Sequence, residues 1–285
     1  MRRGHRPQRH SGTGMVLIAV LWIVAALSIA VTGLTRSIKQ EAALMSASRT
    51  TVQAIGIGEA AIALVLQQLA ATRDPLASLQ EVSMAFHQHV VPVQVVPLTG
   101  LIDVNAAPAE LLALLFSQSA NWPVAAAQAL AQATVEARER KDSRGVPVRY
   151  EAAEDLLQVP GFTYDLYAKV IGLITTDTRG SGRVNPLAAP SGVLAVLANG
   201  DASIAARIDA ARRAGETGID TTALAGALVQ NVPSRRARVT ASVSMPDGSV
   251  VDVVRDVDLT LNHRDGAPWQ VFHTINRIQP APSIP

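Results

Sequence analysis

The sequence contains no cysteine. That excludes a disulfide framework, a thiolate metal site and a cysteine nucleophile. Aromatic residues make up only 4% and charged residues 17% of the chain, so a core built from it rests on alanine and small aliphatic side chains. Also missing are G-x-S-x-G, H-E-x-x-H and P-loop motifs, the short patterns that place a nucleophile, a zinc ion or a nucleotide phosphate. Gly56-Ile-Gly58 stands in a helical pattern without a preceding strand, which excludes a dinucleotide site there. Six histidines are scattered. His87 and His89 would share one face of a strand, but no third ligand lies near them in sequence, so they are taken as incidental.

One stretch also lacks all charge. From Met15 to Leu34 there are twenty residues without Asp, Glu, Lys, Arg or His. As a helix they span about 30 Å, the hydrocarbon thickness of a bilayer. A cleaved secretory signal has a shorter apolar core of about 7–15 residues, so this run is read as an anchor. The preceding residues carry Arg2, Arg3, Arg6 and Arg9 and no acid. That places the N-terminus in the cytoplasm and the rest of the chain beyond the membrane. Removing those four arginines turns the formal net charge from +2 to −2, so overall charge gives no support to a nucleic-acid role.

The helical pattern continues past the apolar run without proline as far as Asp74-Pro75. One long helix is expected over about 15–71. Ile38, Met45, Val52, Ile55, Ala60 and Leu64 keep one face apolar. "HVVPVQVVPLTGLID" (89–103) alternates as a strand, with Pro92 and Pro97 suited to a sheet edge. Residues 105–229 are helical in pattern, with Pro108, Pro123 and Pro190 at helix starts and Asn121 and Asp201 as N-caps. "RARVTASVSM" and "SVVDVVRDVDLTL" flank Pro246-Asp247-Gly248 as a hairpin, and "PWQVFHTINRI" adds a third strand. The expected fold is α+β: a long helix on a small antiparallel sheet, with a large all-helical insertion at 100–229. The sheet takes 72–99 and 230–278, and 279–285 form a flexible tail.

An internal repeat lies within the insertion. "GLIDVNAAPAELLALL" from Gly100 and "GRVNPLAAPSGVLAVL" from Gly182 align over Ile102/Val184, Asp103/Asn185, the two Ala-Ala-Pro runs and Leu112/Leu194. Each copy reads as strand end, polar turn and proline-started helix.

A basic leader ending at Gly14, followed by an apolar helix, resembles the type IV prepilin class. The fifth residue after Gly14 is Ala19, where most members of that class carry Glu, a residue costly in a bilayer unless paired. Together with "QAIGIGEA", "GLIDVNAAP", "EDLLQVPGFTYDLYAKVIGLIT" and "GRVNPLAAP", the pattern resembles the general secretion pathway protein K family, minor pseudopilins of type II secretion systems. The resemblance implies a pseudopilin fold with a helical insertion and a non-enzymatic role at the pseudopilus tip. It implies cleavage after Gly14 by prepilin peptidase, methylation of the new N-terminus at Met15, and partnership with the minor pseudopilins I and J. Trp22 and its apolar neighbours would make the inner-membrane and helix contacts, with the C-terminal part in the periplasm.

The family also binds calcium beside an aspartate-rich stretch of the insertion. Here "EARERKDSRGVPVRYEAAED" is short, and basic residues interrupt Glu136, Glu139 and Asp142. A hard-cation site needs six to eight converging oxygens, so no ligands are assigned. The alternative reading is a membrane-anchored DNA receptor, because "LLQVPGFTYDLYAKVI" resembles a helix-hairpin-helix motif. Lys169 is the only cation near that hairpin, against Glu154, Asp155 and Asp165. Leu156, Leu157, Val159, Leu166, Val170 and Ile171 are expected to serve packing instead. "SRRAR" at 234–238 is read as a charged strand entry rather than a nucleic-acid patch.

Overall fold

The computed structural model describes residues 13–86, 89–178, 180–260 and 267–281. Most of the leader, His87 and the last four residues of the tail lie outside the described residues. By internal contacts the chain divides at Gln53/Ala54 into two units. Helix α1 (Thr13–Thr72) is continuous. The side chains of Leu17, Leu21, Trp22, Ile23 and Leu27 are exposed in the first unit.

In the second unit α1 lies on an antiparallel sheet. Strands β1 (Gln80–Phe86), β2 (His89–Pro97), β5 (Arg236–Ser244), β6 (Val250–Asp258) and β7 (Gln270–Gln279) take the order β1-β2-β5-β6-β7. Ala54, Ala61, Ile62, Val65 and Leu66 of α1 close one core with Val91, Val93, Val239, Val251 and Val253. Gly58 lets the helix approach: a Cβ there would stand 2.6 Å from Val253 Cγ2. The buried face differs from the one expected, because Met45 and Val52 are 66% exposed and Leu64 36%; the side chain of Ile38 lies outside the described residues. The sheet selects 54, 58, 61, 62 and 65, the small and aliphatic positions that allow close approach.

Two strands precede the insertion rather than one. "QEVSMAF" forms the edge strand β1, and β2 is an interior strand despite its prolines. Pro92 stands one residue outside the β2–β5 ladder and Pro97 at its last pair, so neither interrupts it. The chain leaves the sheet after Pro97 and returns to it at Arg236, beside the same strand. The β5–β6 hairpin turns through Met245–Ser249, with Gly248 at φ +83° and its N–H donating to the Met245 carbonyl.

Between β2 and β5 lie α2 (Ala109–Ala120), α3 (Val124–Glu139), α4 (Tyr164–Val170), α5 (Ser191–Leu197) and α6 (Ala202–Arg213). They surround a second core that includes Leu111, Leu115, Phe116, Leu156, Leu166, Leu194 and Ile208. The block is not wholly helical. Strands β3 (Ile102–Asp103) and β4 (Ile174–Thr175) pair in parallel. Asp201 caps α6 by accepting from the Ser203 and Ile204 N–H groups. Asn121 is instead the left-handed residue that ends α2, at φ 53°; Pro123 takes the N-cap position of α3, with no side-chain hydrogen bond.

Candidate assembly site

The repeat found in the sequence is a contact in space. A Cβ on Gly100 would stand 2.2 Å from the Ala188 carbonyl oxygen, and one on Gly182 would stand 2.1 Å from that of Ala106. Each copy's glycine therefore seats the other copy's Ala-Ala-Pro turn. The polar residue after each glycine plays the same part: Asp103 accepts from the Asn105 N–H and Asn185 from the Leu187 N–H, both through their side chains. Both are buried. Asn185 also donates to the Ala77 and Val232 carbonyls, which joins the second copy to the chain on either side of the insertion.

The far face of the sheet carries cross-strand ion pairs that sequence reading missed. Arg236 stands opposite Asp258 and Arg238 opposite Asp256. Arg238 holds both Asp256 oxygens at 2.8 Å, and its Nη1 donates to the Ile174 carbonyl. Arg236 binds Asp258 and reaches Asp177 of the insertion, while its guanidinium stacks 5.2 Å from the Phe272 ring centroid. Burial raises the Asp258 pKa, but Thr260, its backbone N–H and Arg236 outweigh it and leave the carboxyl below its ordinary value. The signal was present as R-x-R and D-x-D in adjoining strands, and only the register shows that they face each other. "SRRAR" is thus a strand entry with paired arginines.

On the opposite face Arg255, itself buried, binds Glu59 of α1 and donates to the Val254 and Ile275 carbonyls and the Asn276 side-chain oxygen. The helix is thereby held on the sheet by charge as well as by apolar contact.

The Pro160-Gly161 hairpin serves packing. Its first arm is a 3-10 turn (Ala153–Gln158) rather than an α-helix. Leu156, Val159, Leu166 and Val170 are buried, with Leu157 and Ile171 half-buried beside them. Lys169 pairs with Asp165, and Glu154 accepts from the Tyr167 hydroxyl. Among the described residues no group of three or more His, Cys, Asp or Glu could hold a metal ion. Asp142 is used by its own turn: the Val146 and Arg144 N–H groups donate to it and hold its pKa below the ordinary value.

A cavity of about 370 Å³ opens between sheet and insertion, lined in part by Asn105, Tyr150, Asp177, Arg238 and His273. Asn105 donates to the Tyr150 and Thr176 carbonyls, and the Tyr150 hydroxyl donates to the Thr134 carbonyl at 2.8 Å. Burial pushes the Tyr150 pKa up to about 12. The folded state thus releases this proton later than the unfolded chain, so stability should fall as pH rises from about 10 toward 12. Tyr150→Phe is expected to flatten that alkaline decline in urea titrations at pH 9 and 11.5, at a cost of roughly 1 kcal/mol near neutrality.

No family model matches the chain, and no curated protein does. Among solved structures it is similar to a chain of the crystal structure of the GspK–GspI–GspJ complex from the enterotoxigenic Escherichia coli Type 2 Secretion System. The match has a TM-score of 0.51 and 14% identity, and covers 82% of this chain and 99% of that one. The chain has the pseudopilin fold. The resemblance drawn from the sequence to the protein K family thus holds at the level of fold.

Within this pseudopilin fold Gly14, Met15, Ala19 and Trp22, the residues named for processing and for membrane or helix contact, all lie on α1. Gly14 and Met15 are in its first turn, and Ala19 and Trp22 are exposed, Trp22 by 72%. Leu17–Ser28 is apolar and exposed on every side. Among the described residues, Ser48–Thr72 is a stretch that by length and composition could cross a membrane. Its contacts with the sheet make the portion from Ala54 a core helix of the pseudopilin fold, however apolar it is.

Proposed function

We propose that this chain is a minor pseudopilin of a type II secretion system, of the general secretion pathway protein K family. It acts as a non-enzymatic component of the pseudopilus tip needed for protein export across the outer membrane. One observation carries this reading: a helix-on-sheet fold, interrupted between adjacent strands by a helical block, parallels nearly the whole of a chain from a secretion-system complex. In the proposal residues 1–14 are a leader removed by prepilin peptidase, and Met15 becomes a methylated N-terminus. Residues 15–34 cross the inner membrane with the leader end cytoplasmic; 72–99 and 230–278 form the periplasmic sheet region, 100–229 its insertion. Partners are the minor pseudopilins I and J. Ala19 lacks the carboxylate through which a subunit would meet the N-terminal amine of a neighbour, which suits an end position.

The test is the intact mass of the full-length protein expressed with and without a prepilin peptidase. The expected result is loss of residues 1–14 plus one added methyl group, only when the peptidase is present. A Gly14→Arg variant should remain unprocessed. An uncut wild-type chain, or a cut beyond residue 30, would reject the reading.

A further inference from the structure

The chain holds one Asn-Gly pair, Asn199-Gly200. Beside glycine an asparagine side chain meets the least steric resistance when the next backbone nitrogen turns on it, because glycine has no Cβ. The pair stands at the C-terminal end of α5, and both residues are exposed. Asn199 is left-handed at φ 54° and Gly200 has φ +87°. The Asn199 N–H donates to the Val196 carbonyl at 3.0 Å and the Gly200 N–H to the Ala195 carbonyl at 2.8 Å. These are the two bonds of a Schellman turn. Among the described residues the Asn199 side chain has no hydrogen-bond partner.

The end of α2 has a matching geometry. Asn121 is left-handed at φ 53°, and the Trp122 N–H donates to the Ser117 carbonyl at 3.1 Å. The two turns share a backbone form and differ in the residue whose nitrogen would react, glycine in one and tryptophan in the other. In each, that nitrogen has its N–H bonded back to the helix. Held in this way it keeps its proton and is aimed at a helix carbonyl, not at the asparagine side chain. It is released when the last turn of the helix opens, a local event that does not require global unfolding. Gly200 also rests on α2, since a Cβ there would stand 2.5 Å from Gln118 Oε1, so the opening works against a neighbour.

We propose that Asn199 is a deamidation site gated by the opening of this Schellman turn. When the turn opens, solvent base removes the Gly200 N–H proton and the nitrogen attacks Asn199 Cγ. The new N–Cγ bond closes a succinimide, and the side-chain nitrogen takes up a proton and leaves as ammonia. Water then opens the ring at Cγ to give isoaspartate's isomer, aspartate, with Gly200 on the backbone carbonyl, or at the backbone carbonyl to give isoaspartate. Either product places a carboxylate at the C-terminal end of α5, where the helix dipole disfavours it, and two residues from the Asp201 carboxylate that caps α6. The site is independent of the secretion role.

The test incubates the full-length protein in detergent micelles in warm, mildly alkaline buffer, once folded and once in unfolding urea. Mass spectrometry of proteolytic fragments follows the exchange of the amide for a carboxyl at Asn199 and at Asn121. Hydrogen exchange of the folded protein measures how far the Gly200 N–H is protected. In urea Asn199 should convert at least about tenfold faster than Asn121, because only the residue after it lacks a Cβ. In the folded protein its conversion should slow by about tenfold or more, and by the same factor as exchange at Gly200, since one opening frees the nitrogen for both reactions. Equal rates in the folded and unfolded chains, or a slowing that departs from the Gly200 exchange factor, would overturn the gate. Asn121 converting as fast as Asn199 in urea, or no conversion of Asn199 there, would overturn the site.

Discussion

Replacing Arg238 with alanine should destabilise the sheet-bearing unit by about 3–5 kcal/mol, the effect of leaving one partner of a buried ion pair alone. Asp256 would lose both of its guanidinium contacts at 2.8 Å in a site where the two side chains are 10% and 5% exposed. The Ile174 carbonyl would lose its donor as well. Urea unfolding of the full-length protein in micelles measures the loss. The double variant Arg238→Leu, Asp256→Leu should recover most of it, because a well-packed apolar pair is about as stable as a buried ionic one. If the double variant stays as unstable as the single one, the carbonyl contact between sheet and insertion matters more than the ion pair.

Gly182→Ala should be nearly as damaging, at about 2–4 kcal/mol. Two independent effects add there. The backbone is left-handed, at φ +76°, which disfavours any Cβ by about 1 kcal/mol or more. The new Cβ would also meet the Ala106 carbonyl oxygen at 2.1 Å, and backbone cannot turn aside as a flexible side chain can. Gly100→Ala carries only the second effect, against the Ala188 carbonyl. Gly56→Ala is the control: nothing lies within 4 Å of its Cβ, and it should stabilise the helix by about 0.5–1 kcal/mol. Thermal unfolding of the three variants orders them; a Gly182→Ala protein as stable as wild type would refute the interlock of the two copies.

The repeat was legible because its spacing and residue types recur, yet its meaning was not. Sequence alignment puts Gly100 beside Gly182 on paper. The fold instead puts each glycine against the other copy's turn, a relation between segments 82 residues apart. β1 went unread because no Gly, Pro, Asn or Asp separates "QEVSMAF" from the strand that follows it, so no turn signal marks two strands there. The expected helix face failed for a related reason. α1 is apolar on more than one side, and periodicity alone does not say which side a sheet will cover.

By itself the sequence determined the charge-free helix, the hairpin at Pro246-Asp247-Gly248, the helix-start prolines and the absence of any thiol chemistry. These depend on residue types within a few positions of one another, where local sterics and solvation decide. Only the tertiary structure decided that β2 is interior, that Arg238 and Asp256 are partners, that Gly58 is a point of close approach, and that β7 is the last strand of the sheet. Each is set by strand register or helix rotation, which bring together side chains far apart in the chain, and a single shift of register would reassign every face.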